Sequence, residues 1–305
     1  MTHADLAALR RAAAAPALTP ATPDPPTAAP APTAAPVTPP APAPVLVLWD
    51  LDLTLLDPAG FGSRMITPVL AELLGREPVM GASFAGRTDR AILTDLLVRN
   101  GMNIDDDTGP TRAGPAPTLA PAGPAHSSAP AGEGSPLVRS VMDAVADRCE
   151  TFADDLLAGG GGPLPGAHDA VRALAAHPLV YQGIVTGNMR RTALLKLRVC
   201  GFDDLPDPSL GAFGDHRSDR AHLILDAVAA ARAQGIDLSP AQAVVVGDHV
   251  HDVRGALDAG ARCVGVATGR VSADDLHSAG AHVVLPDLTD TQALRAAISV
   301  QKTIS

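Results

Sequence analysis

The chain has 305 residues, 46% of them hydrophobic, and carries 33 acidic against 23 basic side chains for a formal net charge of −10. That length and apolar content suit about two ordinary domains with buried cores. The acidic balance, with no basic stripe, excludes a nucleic-acid backbone binder. Three cysteines (Cys149, Cys200 and Cys263) without metal-ligand spacing exclude a disulfide framework and read as small buried hydrophobes in a reducing compartment.

Residues 1–44 hold twelve prolines between Pro16 and Pro44, among Ala and Thr. Such a composition supports neither helix nor ladder and lacks large apolar groups to pack, so a disordered or polyproline-like tail is expected, with a weak helix over 4–15 as its one exception. The opening residues lack the apolar core of a secretory signal, and no apolar run approaches the roughly 18 residues of a membrane span. A cytoplasmic protein, off the membrane, is the expectation.

The first strand is expected at 45–50, in "VLVLWDLDLTLLD", where five apolar residues run into Asp50 and Asp52. Ionised carboxylates at the end of a buried strand are costly unless positive charge meets them. Residues 62–102 then show helical spacing, with stripes at Ile66, Val69, Leu70, Leu73 and Leu74 and at Ile92, Leu93, Leu96 and Leu97. A Pro/Ala/Gly-rich island at 105–136 reads as a long insertion. A third stripe, Val138, Val141, Met142 and Val145, follows it.

Beyond the glycine run 159–162, short apolar strands alternate with helices. Strands are expected at 182–186, 243–247, 263–267 and 282–285, with a weaker one near 209–213. Helices are expected at 166–176, 188–200, 218–234 and 252–259, three of them closed by Gly201, Gly235 and Gly260. Alternation of this kind gives an α/β fold, a Rossmann-like parallel sheet covered on both faces, with the block 58–164 inserted as an α-helical cap after the first strand. The core is then 45–57 together with 165–300.

Ligands of open parallel sheets gather beyond the carboxyl ends of the strands. Three strand ends here are polar: Asp50-Leu51-Asp52, then Thr186-Gly187-Asn188, then Asp248 to Asp252 in "GDHVHD". Acids converging on one cleft call for a divalent cation, and hard oxygen ligands favour Mg²⁺. His249 and His251 read as surface or supporting residues rather than zinc ligands.

"DLDLT", "VTGN" and "GDHVHD" resemble motifs one, two and four of the haloacid dehalogenase superfamily, in its phosphoglycolate-phosphatase-like subgroup, over a match running from Val45 to a final helix near Ile298. The resemblance implies a Mg²⁺-dependent phosphatase acting on a small phosphomonoester. Asp50 would be the nucleophile, forming an aspartyl-phosphate, and Asp52 the general acid and base. Thr186, Gly187 and Asn188 would hold the phosphoryl oxygens. Asp50, Asp248, Asp252 and the Asp52 carbonyl would serve the metal. The third motif's lysine has no counterpart ahead of Asp248; Lys196, in mid-helix, reads as solvent-facing, and Arg220, in preference to Arg217, is expected in the missing role. Arg87 and Asp89, in "FAGRTDRAIL", could touch the leaving group, and Gly60 and Gly62 suit a hinge. A sugar-phosphate phosphomutase, or a catalytically impaired binding module of the same fold, are the alternatives.

Overall fold

The computed structural model describes residues 43–81, 84–104, 134–202 and 206–299. Nearly all of the expected tail and of the 105–136 insertion lies outside them, as does the weak helix over 4–15. In chain order, strand β1 (Val45–Trp49) leads through the short β2 (Leu56–Asp57) to helices α1 (Phe61–Leu74), α2 (Asp89–Arg99), α3 (Pro136–Arg148) and α4 (Ala153–Ala158), and back through β3 (Gly162–Pro163). There follow α5 (Ala167–Ala175), β4 (Val180–Thr186), α6 (Arg190–Val199), β5 (Ala212–Phe213), α7 (Arg220–Ala233), β6 (Ala243–Gly247), α8 (Val250–Asp258), β7 (Arg262–Val266), α9 (Ala273–Ser278), β8 (Val283–Leu285) and α10 (Thr291–Ser299).

Six strands form one parallel sheet in the order β5-β4-β1-β6-β7-β8. The first strand is therefore interior, flanked by β4 and β6, and the strand order reverses beside it. That reversal is the position where a parallel sheet opens a crevice at its carboxyl edge. β2 and β3 pair antiparallel and tie together the two ends of the helical block.

Burial follows from the pleat. Leu46 and Leu48 face one side of the sheet and pack with Leu223, Ile224 and Val228 of α7 and Val253 of α8. Val47 and Trp49 face the other side, in a cluster with Val171 and Leu174 of α5 that runs on into the helical block through Phe61, Ile66, Leu93 and Val141. With aromatics at only 2% of the chain, this core is built from Leu, Val and Ala, and Trp49 is its largest fully buried side chain. The Trp49 indole donates to Gln182 Oε1 at 2.9 Å, and Gln182 Nε2 donates to the Val171 carbonyl at 3.0 Å.

The expected helices after residue 165 are present within about two residues at either end, and Gly201, Gly235 and Gly260 follow three of them at φ +76°, +83° and +73°. That left-handed backbone costs glycine little. The weak strand near 209–213 shrinks to Ala212–Phe213, because Asp207 caps a 3₁₀ turn over Pro208–Leu210 by accepting the Ser209 amide at 2.8 Å. Helix α9 was not expected; its signal was Ser272, whose hydroxyl accepts the Asp275 amide at 3.1 Å. None of the described helices is long and apolar enough to cross a membrane.

Replacing Trp49 with Phe removes the donor for the buried Gln182 amide and leaves a void. Unfolding in urea should show a loss of at least about 1–3 kcal/mol, and an unchanged midpoint would contradict this account of the core.

Candidate active site

β1 ends at a turn that aims its acids. The Leu51 carbonyl accepts the amides of Thr54, Leu55 and Leu56, and Leu53 sits at φ +66°, a position that costs a leucine strain. Two contacts hold it there: the Leu53 amide donates to the Leu56 carbonyl at 2.7 Å, and Thr268 Oγ1 donates to the Leu53 carbonyl at 2.6 Å. The Asp50 amide donates to Val246, so the nucleophile candidate is fixed to β6 as well.

Asp50, Asp248 and Asp252 bring carboxylate oxygens within 4.8 Å of one another, all three residues buried. Arg220, the first residue of α7, reaches into the group: Nη1 lies 3.2 Å from Asp50 Oδ1 and also pairs with Asp252 Oδ1. Burial works against the Arg220 charge, but Asp252 and Asp50 outweigh it and hold the guanidinium firmly protonated. Burial pushes the Asp50 carboxyl well above the usual carboxylate range, with Arg220 opposing and Asp252 adding to the rise. Asp248 is raised in the same way, by burial first and Asp50 second. One arginine therefore leaves this trio short of positive charge. Three buried carboxylates with a charge deficit, all hard oxygen donors, fit a divalent cation such as Mg²⁺. Room for it is protected by glycine: a Cβ at Gly269 would overlap Asp248, and one at Gly247 would overlap Asp252. Asp252 also accepts the His249 amide at 3.0 Å, so it caps α8 as well as pairing with Arg220.

Asp52 is met by a different cation, and here the structure corrects the sequence reading. Lys196 does not face solvent: it is 2% exposed, and its Nζ donates to both oxygens of Asp52 at 2.7 Å and to Asn188 Oδ1 at 2.6 Å. Asn188 Nδ2 donates to Asp52 Oδ2 at 3.1 Å, closing the set. The signal was the spacing Asn188, Thr192, Lys196. Thr192 and Lys196, four apart, share one face of α6, and continuing that step back reaches Asn188 in the loop just before the helix, so the lysine lies on the side of the motif-two asparagine. Of the two arginine candidates, Arg220 enters the site, while Arg217 pairs at the surface with Asp226 at 3.1 Å.

The loop after β4 is fixed from both sides. Thr186 Oγ1 accepts the Asn188 amide at 3.2 Å, and the Asn188 carbonyl accepts Gly214 N at 2.8 Å. From the helical block, Asp89 N donates to the Gly187 carbonyl at 2.7 Å, and Asp89 Oδ2 accepts Met189 N at 2.8 Å. Arg90 Nε donates to the Asp215 carbonyl at 2.9 Å. Residue 187 must be glycine, since a Cβ would overlap the Arg87 carbonyl. Burial raises the Asp89 carboxyl to about 6, against the pull of Lys196. Asp89 is thus a strap between cap and loop. Arg87 borders the cavity, but its guanidinium is engaged by Asp95 at 3.2 Å and the Ala91 carbonyl at 2.9 Å. His249 stacks on His251, and a Cβ at Gly86 would overlap its ring, so this histidine supports the cap loop. Asp57 is a turn residue that accepts the Ala59 amide at 2.7 Å. Gly60, expected at a hinge, starts α1 at φ +76°.

These groups converge on a cavity of about 380 Å³ between the sheet edge and the helical block. Asp50, Asp52, Thr186, Asn188, Lys196, Arg220 and Asp248 line it from the sheet and its helices, and Ile66, Phe84 and Val145 line it from the helical block. An Asp52→Ala change removes the carboxylate partner of a buried ammonium. It should lower stability by on the order of 3 kcal/mol, and adding Lys196→Met should restore most of that loss. Thermal unfolding of the two variants checks this; an Asp52→Ala protein as stable as the parent would contradict the pairing.

Residues 220–291 match a family model described as HAD-hydrolase-like. No curated protein matches the chain. Among solved structures, a hydrolase from Pseudomonas syringae superimposes with a TM-score of 0.55 at 20% identity, covering 84% of this chain and 99% of that one. A predicted phosphatase from Clostridium acetobutylicum gives 0.53 at 16% identity, covering 84% and 100%. CbbY from Rhodobacter sphaeroides, in complex with phosphate, gives 0.51 at 16% identity, covering 81% and 96%. At these identities the likeness is one of fold. The chain has the fold of the haloacid dehalogenase-like hydrolases, and its residues 220–291 carry the sequence pattern of that family.

Proposed function

We propose that the protein is a Mg²⁺-dependent phosphatase that hydrolyses a small phosphomonoester through an aspartyl-phosphate on Asp50. The observation that carries this reading is the separate pairing of the two β1 acids in one cavity, Asp50 with Arg220 and Asp52 with Lys196. A nucleophile and an acid/base must act at different atoms of the same ester, and separate counter-ions keep the two carboxylates apart in position and role. The fold neighbours described as a phosphatase and as a phosphate complex support the same reaction class.

In this mechanism Asp50 attacks phosphorus and the ester oxygen leaves, taking its proton from Asp52. Asp52 then takes a proton from the water that attacks the acyl phosphate, which returns Asp50 and releases inorganic phosphate. Arg220 balances charge beside Asp50, and Thr186 with the amides of Gly187 and Asn188 binds phosphoryl oxygens. Asp50, Asp248 and Asp252 would hold Mg²⁺, which supplies positive charge against the phosphoryl group. The described helices of the 58–164 block act as a cap over the cavity, so a substrate must be small enough to lie beneath them.

Phosphate release should be measured over a panel of small phosphomonoesters with and without Mg²⁺. Turnover should require the metal and disappear in Asp50→Asn with the fold retained; wild-type turnover by that variant would remove Asp50 from the nucleophile's role. Mg²⁺ at about 100 times its dissociation constant should stabilise the parent by roughly 2.7 kcal/mol, and Asp248→Asn should lose most of that gain. The phosphomutase alternative predicts an isomer rather than inorganic phosphate from hexose 1-phosphates.

A further inference from the structure

Four cationic side chains border the cavity: Arg87, Lys196, Arg220 and Arg270. The first three are held by partners already described. Arg270 is exposed and, among the described residues, has neither a hydrogen bond nor an ion pair. Its backbone, by contrast, is closely fixed. Thr268 Oγ1 binds the Leu53 carbonyl at 2.6 Å, which ties this turn to the one bearing Asp50 and Asp52. Gly269 packs so closely on Asp248 that no side chain fits between them. An unpartnered guanidinium is thereby carried on a rigid turn at the edge of the reaction cavity. Ile66, Phe84 and Val145, which also line the cavity, bring no charge to it.

Building on the phosphatase reading, we infer that Arg270 is a specificity-determining residue that binds a second anionic group on the substrate, so that the preferred substrates are small phosphomonoesters bearing a carboxylate or a second phosphate. Guanidinium presents paired donors to either group and remains charged at every physiological pH. With the reacting phosphoryl at Asp50, a second anion finds its only unengaged cation among the described cavity residues at Arg270. Beyond the engaged cations, the other groups lining the cavity are acids such as Asp52 and Asp89, uncharged polar side chains such as Ser63 and Thr192, and apolar side chains. A neutral leaving group gains nothing there.

The test compares esters of matched size: 2-phosphoglycolate against 2-hydroxyethyl phosphate, and propane-1,3-diol bisphosphate against 3-hydroxypropyl phosphate, each with the parent and with Arg270→Gln. The variant should raise KM on the order of tenfold for whichever anionic ester the parent prefers, with kcat within about twofold, and leave both neutral esters unmoved. The two arms separate a carboxylate from a phosphate as the recognised group. Equal effects on charged and neutral esters, or none, overturn the inference while the phosphatase reading stands. A parent inert towards all four esters and towards the wider panel overturns that reading and the subsite with it. Because Arg270 is exposed and holds no partner among the described residues, the substitution should leave the fold intact, and Arg270→Lys should recover part of the lost affinity.

Discussion

Two carboxylates one residue apart, at the end of an interior strand, must each be met by positive charge, and much of the architecture around β1 serves that need. Arg220 comes from the start of α7 to Asp50, and Lys196 comes from the middle of α6 to Asp52. The strands that precede those helices lie on the β4 side of β1, so the parallel order β5-β4-β1-β6 is what brings both cations to one edge. On the other side, β6 delivers Asp248 and Asp252, which increase the negative charge again and create the demand for a metal. The site is thus an electrostatic balance between opposite flanks of one strand.

The cap is bound into that balance. Asp89, at the first turn of α2, hydrogen-bonds the loop that carries Thr186, Gly187 and Asn188, and Arg90 beside it donates to the Asp215 carbonyl in the loop after β5. Movement of the helical block would therefore break contacts on the proposed phosphate-binding loop itself, which couples the position of that block to the site. The glycines at 86, 187, 247 and 269 permit backbone and side chain to approach this closely at four points around the cavity.

Most of the sheet was legible because each buried strand is a short apolar run ending in polar residues, and its helices close on glycine. That Asp50, Thr186 and Asp248 meet at one cavity was legible for the same reason: each stands where an apolar run stops. Lys196 was not, since a lysine between Leu195 and Leu197 on a helix with Arg190, Arg191 and Arg198 has the local appearance of a solvated face. Its burial is decided by Asp52, 144 residues away in sequence. Arg220 was legible only through its place before a helix; its pairing with both Asp50 and Asp252 is a tertiary fact. Arg87 shows the converse, because a residue placed at the cavity by its sequence position has its charge engaged by Asp95 of the helix that follows it, α2.

Covalent trapping of the phosphoryl group most directly tests the central claim, that Asp50 is the nucleophile and Asp52 its acid/base partner. A ³²P-labelled phosphomonoester quenched in acid during turnover, followed by borohydride reduction and peptide mapping, should place the acyl phosphate on Asp50, with a larger trapped fraction in Asp52→Asn if that change slows hydrolysis more than formation of the acyl phosphate. Turnover with no trapped phosphoenzyme in either protein, or the homoserine that reduction leaves found at a residue other than Asp50, would contradict the account.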